Sequence, residues 1–213
     1  MKYAVFDMDG TLIDSMPVWS NMGVDILKAN GVSYPDNILE ILTPLGINKG
    51  SEYLIELGLN MTKEEIFLTE VSYAAKYYEE SIPLKKGVME YLKSLKKAGV
   101  KMSVLTASPH VFIDPCLKRL KVDGFFDYIV SAEDIGVTKS EVKSFEILLE
   151  KMGAEPHETV MFDDNLKALE TAKKAGLITC GVYDEASEGS MEEIKKLADM
   201  YIESFENLLQ RLR

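Results

Sequence analysis

The first apolar run of the chain is short and ends abruptly. Tyr3 to Phe6 contain no polar break and stop at Asp7 and Asp9, with Gly10 and Thr11 directly behind them. An uninterrupted apolar run of this length, bounded by turn residues, predicts a strand buried on both faces. After Ser15 the period changes. Pro17 stands where a first helical turn tolerates it, and Val18, Met22, Ile26 and Leu27 follow at helical spacing until Gly31. The segments 36–46 and 48–58 predict two short helices. Segment 62–81 predicts a longer one, opened by Thr62 and Glu65 at capping-box spacing. No strand pattern occurs from 16 to 82. Beyond 84 the two periods alternate. A helix over 87–98 stopped by Gly99 leads to a strand over 101–106, a helix from Pro109 and a strand within 126–132. A helix over 139–153, a strand over 159–164, a helix over 165–176 and a strand over 177–183 follow, then a weak strand near 200–202 and a final helix. Strands alternating with helices predict an α/β core whose parallel sheet is covered on both faces. The expected organisation is a core of 1–15 and 83–213 with an all-helical insert at 16–82.

Composition narrows the partners. Of 213 residues, 46% are hydrophobic, enough for a sizeable core. Acidic residues outnumber basic ones 35 to 24, for a net charge of −11. Such a surface repels nucleic-acid backbones and anionic lipid, so neither is an expected partner. Cys116 and Cys180 are isolated, without metal-type spacing, and read as reduced thiols. The first strand begins too early for a signal peptide and no apolar run reaches membrane-spanning length, so a cytoplasmic location is expected.

In open α/β sheets functional groups collect at the carboxyl ends of the strands. Here those ends carry Asp7 and Asp9, then Thr106 and Ser108, then Asp163 and Asp164, while Lys139 opens the helix leading to the last pair. Several buried carboxylates at one place need a cation. With no His or Cys in these motifs, a hard ion with oxygen ligands fits, Mg²⁺ best. The two histidines, His110 and His157, read as structural or surface residues. A carboxylate beside Mg²⁺ is able to attack phosphorus. Lys139, the Thr106 hydroxyl and backbone N–H groups would then stabilise charge on the phosphoryl oxygens. A second carboxylate two residues on would serve as acid and base.

"DMDGTLIDS", "LTAS", Lys139 and "FDDN", in that order, resemble the four motifs of the haloacid dehalogenase superfamily. The helical insert after the first motif resembles the C1-capped branch, which includes sugar-phosphate phosphatases and β-phosphoglucomutase. The resemblance covers essentially the whole chain and implies a Rossmann-like core with a helical cap. It also implies roles: Asp7 as nucleophile; Asp9 as acid/base, with its backbone carbonyl on Mg²⁺; Thr106, Ala107 and Lys139 as phosphate-binding residues; and Asp7, Asp163 and Asp164 as metal-holding carboxylates. The lysine of this branch is usually followed by Pro. Here Ser140 follows, and it is expected to cap the helix instead; Lys143 is the alternative lysine. Phe162 also replaces a small residue often found before the last acids. An Asp at position 9 implies phosphate-ester chemistry, since dehalogenases of the superfamily lack it.

The expected activity is Mg²⁺-dependent hydrolysis of a small phosphorylated metabolite by a monomer or weak dimer. A phosphomutase and a non-catalytic phospho-ligand binder are the alternatives. A phospho-aspartate receiver is disfavoured because its acids are spaced differently and it has no helical insert. Substrate choice is expected to lie in the insert, moving as a lid about Ser15 and Pro83. Lys49, in the turn expected over 43–50, is a possible substrate contact. Asn165 is expected to cap the helix that follows Asp164.

Overall fold

A computed structural model describes residues 1–42 and 45–211, and all their side chains except those of 46–48, 210 and 211. The chain divides into two compact units, Met1–Asp14 with Pro83–Arg213, and Ser15–Ile82.

The larger unit is built on six strands: β1 (Tyr3–Phe6), β2 (Lys101–Thr106), β3 (Tyr128–Ser131), β4 (Thr159–Asp163), β5 (Ile178–Val182) and β6 (Met200–Ile202). They lie in the order β3-β2-β1-β4-β5-β6, every neighbouring pair parallel. This is the covered parallel sheet that the alternating periods predict. The chain winds outward from β1 to β3, then returns to the other side of β1 as β4. The crevice where winding reverses therefore lies between β1 and β4, and ligands of such sheets bind there. The register pairs Phe6 with Phe162, so the residues leaving both strands, Asp7 and Asp163, emerge side by side.

Strand alternation sends successive side chains to opposite faces, and both faces are buried. Val5, Leu105, Val130 and Met161 pack on one face with Phe145, Leu148, Leu149 and Met152 of the helix Val142–Met152. On the other, Phe6 and Phe162 stack at 4.8 Å between ring centroids, with Tyr91 and Phe205 packed edge-on or tilted against them. That stack gives Phe162 a packing reason: a small residue there would leave a void beside Phe6.

The smaller unit is all helical: Met16–Ala29, Ile38–Leu42, Gly46–Glu56 and Lys63–Glu80. Pro17 sits in the first turn of its helix, and the Thr62/Glu65 capping box is formed in both directions. Val24, Ile26, Leu27, Ile38, Leu54, Leu59 and Ile66 make the core of this unit. One boundary differs from expectation. The third helix starts at Gly46, so Lys49 lies in a helix, not a turn; Thr43 and Pro44 lie outside the described residues.

No helix among the described residues is long and apolar enough to cross a membrane.

Candidate active site

β1 ends at Phe6, and Asp7 is anchored directly beyond it by its backbone N–H to Phe162 O at 2.9 Å. Asp163 ends β4, and Asp164 opens the turn into the helix Leu166–Lys174. Asn165 caps that helix, accepting from the N–H groups of Lys167 and Ala168. Two strand ends at the switch point thus present three buried carboxylates. Ligand oxygens of Asp7, Asp163 and Asp164 lie within 4.8 Å of one another.

Lys139 enters this group from a third segment. Its Nζ lies 2.6 Å from Asp7 Oδ1 and 2.8 Å from Asp163 Oδ2. Asp163 Oδ1 also accepts from the Asn165 N–H at 2.9 Å. Both oxygens of Asp164 are held, Oδ1 by the Thr11 hydroxyl at 3.1 Å and Oδ2 by the Ser187 hydroxyl at 3.0 Å. The alternative lysine, Lys143, is exposed and pairs with Glu146.

The charges do not balance. Three ionised carboxylates against one ammonium would leave two negative charges buried. Burial pushes Asp7 well above the usual carboxylate range; Lys139 opposes the shift, while Asp163, Asp164 and Asp9 add to it. Burial, then Asp163, pushes Asp164 up to about 6, against the pull of Lys139 and Ser187. Burial disfavours the Lys139 ammonium, but Asp163 and Asp7 outweigh it and push its pKa up, so it stays charged. A divalent cation among the carboxylates would remove the imbalance. The donors are all hard oxygens, with no thiol or imidazole among them, which suits a hard cation. The residues present therefore fit a metal ion of this class.

Asp9 faces a second group. It is half-buried, and its Oδ2 accepts from the Ser108 hydroxyl at 2.6 Å. Thr106 is buried at the end of β2, its Oγ1 accepting from the Ser108 N–H at 3.0 Å, and Ala107 is the exposed residue of that turn. Ser131 donates to Ser108 O at 2.8 Å and steadies the same turn. His110 opens the next helix and bridges Asp114 and Asp134, whose hydrogen bonds push its pKa up. It is an electrostatic clasp between two helix starts. Lys49 belongs to the helical unit, where it is exposed.

The structure corrects the assignment of Ser140 as a cap. The helix begins at Val142, with Glu141 at the N-cap position and no side-chain cap bond. Thr138 shapes the turn instead, its hydroxyl accepting from the Ser140 N–H at 3.4 Å while its own N–H reaches Glu141. Lys139 therefore extends from a turn rather than from a helix. Three residues near the site carry no sequence signal of their own: Lys85, Asp184 and Ser187. They are single polar residues in connecting segments.

Gly10 is fixed by two constraints at once. Its φ is +75°, a region that side chains disfavour, and an added Cβ would fall 2.7–2.9 Å from the Asp164 carboxylate. Gly10→Ala is expected to cost about 1–2 kcal/mol from backbone conformation alone. If Asp164 is a metal ligand, displacing it should also weaken metal binding by about 10–100-fold, the usual effect of disturbing a ligand's support. Thermal melting and metal titration of the variant check both; a metal affinity like wild type would show that Asp164 is not a ligand.

Residues 4–182 match the family model described as haloacid dehalogenase-like hydrolase. Hexitol phosphatase B of Escherichia coli K12 is 26% identical over 211 residues, covering 96% of this chain and 93% of that one. A phosphorylated carbohydrates phosphatase of Thermotoga maritima is 25% identical over 178 residues, covering 83% and 82%. Among solved structures, a Thermotoga maritima protein provisionally assigned as a β-phosphoglucomutase has a TM-score of 0.85 at 22% identity and covers both chains completely. At that identity the likeness is one of fold.

Proposed function

The chain belongs to the haloacid dehalogenase-like hydrolase family, and we propose that it is a Mg²⁺-dependent phosphatase acting on a small phosphorylated metabolite through an aspartyl-phosphate. The observation that carries this reading is the buried cluster of Asp7, Asp163 and Asp164 around Lys139 at the switch point of the sheet. The names of the relatives, which are phosphatases of hexitol phosphates and phosphorylated carbohydrates, favour a sugar or polyol phosphate. In this reading the helical unit Ser15–Ile82 is a cap that selects the substrate.

Asp7, Asp163 and Asp164 would hold the metal. When bound, Mg²⁺ would neutralise the phosphoryl oxygens and lower the repulsion between the ester and a carboxylate. An oxygen of Asp7 forms a bond to phosphorus, and the bond from phosphorus to the ester oxygen breaks. Lys139 is a fixed ammonium beside Asp7 and stabilises charge on the phosphoryl group as it moves. Thr106 and the Ala107 turn contribute hydrogen-bonding groups to the same oxygens. Asp9 gives its proton to the departing oxygen. It then takes a proton from water, whose oxygen attacks phosphorus and releases Asp7. The Ser108 hydroxyl, donating to Asp9 Oδ2, orients Asp9 for this work.

A panel of phosphate esters, assayed for inorganic phosphate with a bisphosphorylated sugar included as primer, tests the reading. Release is expected from sugar or polyol monophosphates, stopping on exhaustive chelation and returning with Mg²⁺. Rates untouched by chelation would contradict the metal assignment. Isomerised sugar phosphate without net phosphate release would mark a mutase.

A further inference from the structure

Lys85 has no part in the reaction above, yet its ammonium is fully engaged. The side chain is 15% exposed. Nζ donates to Gly10 O at 2.7 Å, to Tyr183 O at 2.6 Å and to Asp184 Oδ2 at 2.7 Å. An ammonium has three donors, and these three acceptors match them. One acceptor lies in the loop after β1; the other two lie in the loop after β5.

Each loop grips one oxygen of Asp164. Thr11, the residue after Gly10, donates its hydroxyl to Oδ1. On the other side, Asp184 Oδ1 accepts from the Ala186 N–H at 3.0 Å, which sets the turn carrying Ser187, and Ser187 donates to Oδ2. The contacts close into a ring: Lys85, Gly10 and Thr11, Asp164, Ser187, Asp184 and back to Lys85. Burying an ion pair is weak evidence for stability, since apolar replacements often serve as well. What the lysine adds over an apolar side chain is direction. It fixes two carbonyls and a carboxylate at short distance in one geometry.

We infer that Lys85 is a positioning residue for the metal site, its part-buried ammonium tying the loops after β1 and β5 together so that both oxygens of Asp164 are held where a cation needs them. The inference rests on the metal-dependent reading above. It gives this chain an internal cation behind the exchangeable one.

The test separates positioning from plain stability. Lys85→Met leaves Asp184 buried without its partner and should melt early. Adding Asp184→Asn removes the second charge, while the amide oxygen still accepts from Ala186, so the melting temperature should recover in part, short of the cost of the Gly10 and Tyr183 carbonyls left without this donor. Mg²⁺ affinity, measured by calorimetry on the full chain without substrate, should not recover. A Kd weakened by about 10-fold, the lower end for lost support of a ligand, is expected in the double variant. Ser187→Ala should weaken Kd by a similar factor with little change in melting, and combining it with the double variant should add less than its own effect. A double variant that binds Mg²⁺ like wild type overturns the inference and leaves the phosphatase reading standing. Wild-type protein that binds no Mg²⁺ overturns both. If the double variant does not fold, Ser187→Ala decides: a shifted Kd supports the inference and an unchanged one overturns it.

Discussion

Asp7→Asn is expected to lower turnover by about 10⁴-fold or more, the scale on which enzymes lose rate when the attacking group is removed. The amide has nearly the shape of the carboxylate but no nucleophilic oxygen. The fold should survive, because two opposing changes fall on the same residue. Neutralising Asp7 relieves a burial penalty and the repulsion of Asp163 and Asp164, while the contact with Lys139 loses its charge assistance. A net change near 1 kcal/mol would move the melting temperature by about 2–4 °C in a chain of this size. Activity and melting are measured on the same preparation. Substantial turnover in a well-folded variant would remove Asp7 from the chemistry.

Asp9→Asn is expected to slow the reaction by about 10²–10⁴-fold, the usual worth of general acid–base help. The loss should depend on the leaving group. A nitrophenolate leaves without protonation, so phosphorylation of Asp7 by an aryl ester should suffer least. An alkoxide leaves badly, so a sugar or polyol phosphate should suffer most. Hydrolysis of the intermediate should slow equally for both, because the intermediate is the same. The substitution is sterically quiet, since an amide oxygen still accepts from Ser108. Single-turnover measurement of both steps decides it. Equal slowing of aryl and alkyl phosphorylation would reduce Asp9 to a structural residue.

The sheet is legible in the sequence because its strands are buried on both faces. Tyr3–Phe6 and residues 160–162 are apolar runs cut off by acids, and that sharp change of pattern marks where both strands end. The helical unit is legible from its period and from the Thr62/Glu65 pair. Short elements are not. The helix Ala132–Ile135 has a single turn, too little for any periodicity, and it lies where a strand was ending. The helix after Lys139 starts at Val142, later than the cap-like Ser140 predicts, because Thr138 and Glu141 decide the turn. Lys85, Asp184 and Ser187 carry no sequence signal, for a different reason. Each is an ordinary polar residue in a connection, and its importance arises only because the loops after β1 and β5 meet around Asp164. Charge at a strand end can be read along the chain. A ring of contacts across the sheet edge requires the fold.

Rapid acid quenching of Asp9→Asn with a radiolabelled aryl phosphate, followed by mapping of the label, tests the account most directly. In this variant the aspartyl-phosphate should form from the aryl ester and decay slowly, so label should accumulate on the peptide carrying Asp7 and disappear on adding Asp7→Asn. Steady release of phosphate with no protein-bound label at any time, or label that persists without the Asp7 carboxylate, would contradict a reaction through Asp7.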